Sequence, residues 1–190
     1  MDRKYVEGES FTNIDGKRNA LTPGTYENCT FTNCNLANAD LSDIVFVECI
    51  FEQCDLSVAN IQNTAFRDVV FKNCKLLGLH FENSNALLFG IQCESCQLQL
   101  SSFYQCSLKD TLFQQCSLQE VDFTEADLTN ARFVQCDLSG AIFDHTILEK
   151  ADLRTAYHYA IHPEDNRIKK AKFSLAGIPG LLEQYDIEIE

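Results

Sequence analysis

One feature restricts this chain more than any other: a large apolar residue recurs every five positions. The series runs Tyr26, Phe31, Leu36, Leu41, Phe46, Phe51 and on through Leu56, Ile61, Phe66, Phe71 and Leu76 to Phe81. The register then slips by two. It runs again from Leu98 and Phe103 through Leu108, Phe113, Leu118, Phe123, Leu128, Phe133, Leu138, Phe143 and Leu148 to Leu153. Phe, Leu, Ile, Val, Tyr and Met make up 62 of the 190 residues. Filling 24 such slots by chance has a probability on the order of 10⁻¹¹.

A period of five fits neither the helix repeat of 3.6 nor the strand repeat of 2.0. It asks for a backbone that turns a corner every five residues. The residue two before each large one is small except at Ile44 and Leu79: Cys29, Cys34, Ala39 and Cys49 in the first half, Cys96, Ser101, Cys106 and Thr111 in the second. Each unit therefore points one large and one small residue inward and three outward. Four sides close a square coil of 20 residues, and like residues recur at that spacing, as with Phe31, Phe51 and Phe71 or Phe103, Phe123 and Phe143.

The units resemble the pentapeptide-repeat family, whose pattern is A-[DN]-L-x-x. The best copies are Ala39-Asp40-Leu41-Ser42-Asp43, Ala126-Asp127-Leu128-Thr129-Asn130 and Ala151-Asp152-Leu153-Arg154-Thr155. The resemblance covers roughly residues 20–157. It implies an all-β fold, a right-handed quadrilateral β-helix, here assigned to residues 1–173 with a short C-terminal helix after it. Val6, Phe11 and Leu21 keep register at the N-terminus with Gly16 as a gap, which reads as a first coil capping the open end. The slip within 82–97 reads as a bulge or small loop.

Residues 174–190 stand apart. Ser174 to Tyr185 read as a short helix capped by Ser174, and Asp186-Ile187-Glu188-Ile189-Glu190 alternates like an exposed strand. Leu175, Ile178, Leu181, Leu182 and Tyr185 are the candidate surface for a twofold homodimer.

The ten cysteines suggest a disulfide scaffold at first, but nine of them occupy the small inward slot, where a free thiol behaves as a small hydrophobe. The opening residues contain no apolar signal segment, so a reducing cytoplasm is expected. No apolar run is long enough for a membrane helix. Cys93 and Cys96 form one C-x-x-C without a second pair at zinc-ribbon spacing, and His80, His145, His158 and His162 form no familiar metal or catalytic motif. A filled solenoid offers no obvious cleft for chemistry, so the expectation is a non-enzyme without metal or cofactor.

Charge is the remaining clue. With 28 acids against 15 bases the net charge is −13. Such a chain repels phosphate, so direct nucleic-acid binding is disfavoured while a basic protein partner is allowed. Sorted by register, Asp122, Glu125 and Asp144 share one face, Asp127 and Glu149 share the next, and Asp137 and Asp152 lie elsewhere. These seven are the candidate partner-binding residues. Spread over a rod of about eight coils near 40 Å long, the charge has about half the linear density of duplex DNA. The segment Asp122 to Asp127 and the tail from His162-Pro163 through Arg167 to Ile189 resemble the topoisomerase-protecting branch of the family, the albicidin-resistance and Qnr-type proteins. That resemblance implies a DNA-mimicking dimer that binds DNA gyrase, and in some members topoisomerase IV, and relieves its poisoning by quinolones or albicidin-type toxins. The alternative is a structural or interaction protein of the same family with no topoisomerase role.

Overall fold

A computed structural model describes residues 4–185 and 187–188. It is the quadrilateral parallel β-helix expected from the period of five. Face one stacks β1 (Lys4–Glu7), β3 (Gly24–Glu27), β5 (Val45–Val47) and β7 (Ala65–Arg67) in parallel. Face two stacks seven strands: β2 (Ser10–Thr12), β4 (Thr30–Thr32), β6 (Ile50–Glu52), β8 (Val69–Lys72), β9 (Ile91–Glu94), β10 (Leu112–Gln114) and β11 (Arg132–Val134). Faces three and four, centred on the Leu36 and Leu41 columns, climb instead through single-residue bridges such as Asn35 to Asp55 and Asp40 to Asn60.

The centre of each unit fills the interior. Phe31, Phe46, Phe51, Phe66 and Phe71 are fully buried. Rings stack along a face, as Phe31 on Phe51 at 4.6 Å, and meet edge to face around a corner, as Phe31 and Phe46 at 5.7 Å and 87°. Both are favourable aromatic geometries, so each new coil adds contacts without new side-chain types.

Where the small slot holds a Cys or Thr, it can also carry a hydrogen bond between coils. Cys54 donates its thiol to the Phe31 carbonyl at 3.3 Å, Cys74 to Phe51 at 3.3 Å, and Cys96 to Phe71 at 3.4 Å. Thr64 and Thr146 use their hydroxyls in the same way toward Leu41 and Phe123, each at 2.8 Å. A small donor at this position thus joins one coil to the coil beneath it. All ten cysteines are free, and all but Cys106 are buried.

The corners are made by the backbone. The second residue after nearly every centre is left-handed, from Asn28 at φ +53° and Asn38 at +59° to Glu125 at +57° and Lys150 at +60°; Asn83 and Thr155 are exceptions. Asn, Asp and Gly accept that conformation readily, whereas a β-branched side chain strains there. Val58 nonetheless adopts φ +54°. On faces three and four a hydrogen bond closes the corner, as from Ala39 N–H to the Leu36 carbonyl at 3.0 Å.

The slip is a two-residue enlargement of one corner. Asn85 still donates to Thr64 at the ordinary coil offset, but Ile91 pairs with Val69, 22 residues earlier. The extra length therefore enters between them, at the corner from face one to face two. Ala86 takes the slot of a large residue, and Phe89 packs edge to face on Phe81 at 6.1 Å. The six cysteines 34, 54, 74, 96, 116 and 136 continue across the slip as one column on face three, because Phe71 pairs with Cys93 and Cys93 with Phe113.

At the N-terminus Gly16 fills the gap in the pattern for a steric reason: a Cβ there would lie 2.9 Å from that of Ala39 and 3.1 Å from Leu36. At the other end the helix is a 3-10 helix, Leu175–Leu181, followed by a second turn at Glu183–Tyr185. Ser174 caps it, accepting from Gly177 N–H at 3.1 Å. Pro179, Gly177 and Gly180 disfavour an α-helix, and the two glycines also let the backbone close on Tyr159. The strand expected over 186–190 falls partly outside the described residues, and Ile187 and Glu188 belong to no strand.

Candidate functional site

The coil sorts charge by face, and the sorting is uneven. Face four consists of 39–43, 59–63, 79–83, 101–105, 121–125 and 141–145. It carries Asp40, Asp43, Glu82, Asp122, Glu125 and Asp144, and no lysine or arginine. Continuing the 20-residue register places Glu164 and Asp165 at its upper end. Faces one and two hold equal numbers of acids and bases by the same register, and face three is nearly balanced. Most of the net −13 thus lies on face four and in the acidic C-terminal tail.

The carboxylates of face four are held mainly by neutral donors. Asn60 donates to Asp40 at 2.9 Å and Asn63 to Asp43 at 2.6 Å. Gln105 donates to Glu125 at 2.8 Å. His80 lies 2.9 Å from Glu82 and His145 2.7 Å from Asp144; each is a cation only when protonated. Amide donors fix these oxygens without cancelling their charge. Six charges over five rungs of roughly 4.8 Å give one per about 4 Å, close to the 3.4 Å spacing of phosphates along a single DNA strand. The comparison with DNA therefore applies to one face rather than to the whole rod.

The seven sequence-derived acids do not converge. Asp122, Glu125 and Asp144 lie on face four, Asp127 and Glu149 on face one, Asp137 on face three and Asp152 on face two. Four of them also build the fold: the side chains of Asp122, Asp127, Asp137 and Asp152 accept from the backbone N–H two residues on, at 2.8 to 3.2 Å. This is the Asx turn that the D/N of the repeat pattern supplies. Off face four the acids meet cations. Lys109 lies 3.1 Å from Asp127, Arg167 lies 2.6 Å from Glu149, and Arg154 grips Asp152 through two bonds of 2.9 and 2.7 Å. The Arg154 pair holds Asp152 below the usual carboxylate range. Burial pulls Asp137 upward, but bonds from Ser139, Gln119 and His158 outweigh it and lower its pKa to about 2.

Ser139, Asp137 and His158 come together, a juxtaposition not evident from the sequence. Ser139 Oγ and Asp137 Oδ1 both approach His158 Nδ1 at 3.1 Å. A nucleophile activated by histidine needs its hydroxyl on one ring nitrogen and the carboxylate on the other. The cluster instead orders the Asp137 turn. Among the described residues no group of three or more His, Cys, Asp or Glu is placed to hold a metal, and no helix is long and apolar enough to cross a membrane.

The dimerisation candidates divide. Leu181 is buried against its own rod and Leu182 half-buried, while Leu175 is 90% exposed and Ile178 and Tyr185 are also open. Tyr185 donates to Glu164 at 2.7 Å, tying the tail to the upper end of face four.

Residues 25–87 and 86–158 match the model of a pentapeptide repeat region. No curated protein sequence matches the chain. Among solved structures, the chain is similar to full-length QnrB1, a plasmid-mediated fluoroquinolone resistance protein. The match has a TM-score of 0.63 at 17% identity and covers 97% of this chain and 100% of that one. It is also similar to HetL from Nostoc sp. strain PCC 7120, a pentapeptide repeat protein involved in regulating heterocyst differentiation. There the TM-score is 0.50 at 18% identity, covering 88% of this chain and 84% of that one. At these identities the likeness is one of fold.

Proposed function

Because this chain belongs to the pentapeptide-repeat family, we propose that it is a non-catalytic, DNA-mimicking protein of the cytoplasm. In this reading it binds DNA gyrase, and topoisomerase IV where the groove allows, as a homodimer joined through Leu175, Ile178 and Tyr185. It thereby protects the enzyme from inhibitors such as quinolones or albicidin-type toxins. The observation that carries the reading is face four: six carboxylates averaging one per about 4 Å along the rod, held mainly by neutral donors and free of lysine and arginine. A topoisomerase groove that binds a phosphate backbone offers the complementary charge, and steering into it needs no nucleic acid on this side.

The resemblance of the tail to the topoisomerase-protecting branch and the fold shared with QnrB1 support the same reading. The fold shared with HetL favours the alternative, an interaction protein with another partner. A gyrase supercoiling assay with and without the protein, in the presence of a quinolone or albicidin, separates the two. Inhibition or protection together with low-salt pull-down of gyrase is expected. Absence of inhibition, protection and pull-down alike would remove the gyrase reading and leave the alternative standing.

A further inference from the structure

The two-residue enlargement leaves a cavity of about 200 Å³ between the turn at 81–89 and the next coil at 104–107. Its walls are aromatic: Phe81 is buried, and Phe89 packs edge to face on it. Tyr104 and Gln105 line the side toward face four. Leu87 and Leu88 stand exposed at 65% and 71% on the same turn.

Two polar groups in this cavity depart from the pattern elsewhere in the rod. In the small-slot ladder, Cys96 donates to the Phe71 carbonyl 25 residues earlier. The corresponding acceptor for Cys106 is the Phe81 carbonyl, but Ser84 Oγ occupies it at 2.6 Å. Cys106 is accordingly the one cysteine that is not fully buried. Burial and then the charge of Glu82 push its thiol up to about 12, so it remains neutral. Glu82 is the second departure. Its Oε1 meets His80, but its Oε2 is buried without a hydrogen-bond partner. This oxygen has acceptor capacity that no protein donor uses, and a charged donor makes the stronger bond to a carboxylate.

The geometry points to a docking site for one arginine side chain of a protein partner: its guanidinium plane against Phe89 and Tyr104, over the floor formed by Phe81, and its charge on the Glu82 carboxylate, whose side chain is 25% exposed. Arginine fits better than lysine because its flat, weakly hydrated head stacks on aromatic rings while donating in plane. The cation-free surroundings of face four supply the long-range attraction. The inference rests on the reading that the partner is basic, and it adds an anchoring point to an otherwise diffuse electrostatic contact.

The test uses the whole protein in two arms. In the first, N-acetyl-arginine amide is titrated while the Ala86 methyl and Glu82 carboxyl signals are followed by NMR, with the citrulline analogue as neutral control. Saturable shifts are expected with arginine alone and should vanish in Glu82→Gln. Shifts absent, or equal with citrulline, would overturn the site. In the second arm, gyrase affinity is measured for wild type and Glu82→Gln, with a loss of about tenfold expected for a charged hydrogen bond. Unchanged affinity would also overturn it. If wild type does not bind gyrase at all, the proposed function fails and the first arm alone decides the site.

Discussion

Phe103 lies flat on Phe81, ring centroids 4.5 Å apart and planes 6° from parallel, although 22 residues separate them instead of 20. The stack is as close as that of Phe31 on Phe51 below the slip. The enlarged corner is thus absorbed on another face, and the aromatic column of face four passes it intact. Phe103→Ala should therefore cost about 4 kcal/mol by removing a buried ring from a filled column, whereas Phe89→Ala, at the half-buried corner, should cost about 1 kcal/mol. Urea unfolding of the two variants checks the ratio. Equal losses would mean that the corner contributes as much as the column to holding the two halves together.

Val58 holds a left-handed backbone at φ +54° with its side chain 60% exposed, so it bears the strain and gains little from burial. Val58→Asn places a residue suited to that conformation and should raise stability by about 1 kcal/mol. A lower thermal midpoint for the variant would mean that contacts of Val58 outweigh the backbone cost.

Much of this was legible in advance. The large and small inward slots follow from sequence because a filled coil tolerates little else, and they position Phe31, Cys54 and Leu128 without coordinates. The left-handed corners were not marked, since Glu48, Val58 and Leu100 occupy them beside the expected asparagines. The apolar tail pattern was visible, but its division was not, because whether Leu181 turns toward its own rod depends on how Gly177 and Gly180 pack on Tyr159. The absence of lysine and arginine from face four follows from counting in twenties only once the slip is placed at a single corner, with the coil above it in step with the coil below.

Native-state thiol chemistry offers a separate check. Burial holds Cys49 near 11; hydrogen bonds with neighbouring thiols, those from Cys96 and Cys136 raising the value, and then burial hold Cys74 and Cys116 near 12. With thiolate so scarce at these three sites, their reaction with a disulfide reagent at neutral pH should be slow. The first site labelled should be Cys106, the one thiol not fully buried. Mass mapping that finds Cys34 or Cys136 labelled first would indicate that the ends of the rod open more readily than the slip.

The depressed pKa of Asp137 gives a stability term with a defined pH window. Its folded value, about 2, lies below the ordinary 3.8. The term is fully present above the ordinary value and is lost as pH falls from there through the folded value. Its size is about 2 kcal/mol at most, reduced by the partial exposure of the site. Asp137→Asn should narrow the stability difference between pH 5 and pH 2. An unchanged difference would assign the acid sensitivity to other carboxylates.

The last prediction separates face-specific recognition from total charge. Asp122→Asn, Glu125→Gln and Asp144→Asn together remove three charges from face four. The asparagine at 122 keeps the oxygen that accepts Thr124 N–H at 2.8 Å, so the turn is retained. Glu48→Gln, Glu52→Gln and Glu94→Gln remove the same number from faces one and two, where acids and bases balance. Both triples move the formal net charge from −13 to about −10, so they repel or attract a distant basic protein almost equally. They differ in what a groove meets at contact. If face four is the binding surface, the first triple should weaken gyrase binding about tenfold or more and flatten its salt dependence, while the second changes it less than about twofold. Equal losses would show that only bulk charge matters and would remove the case for a phosphate-like face.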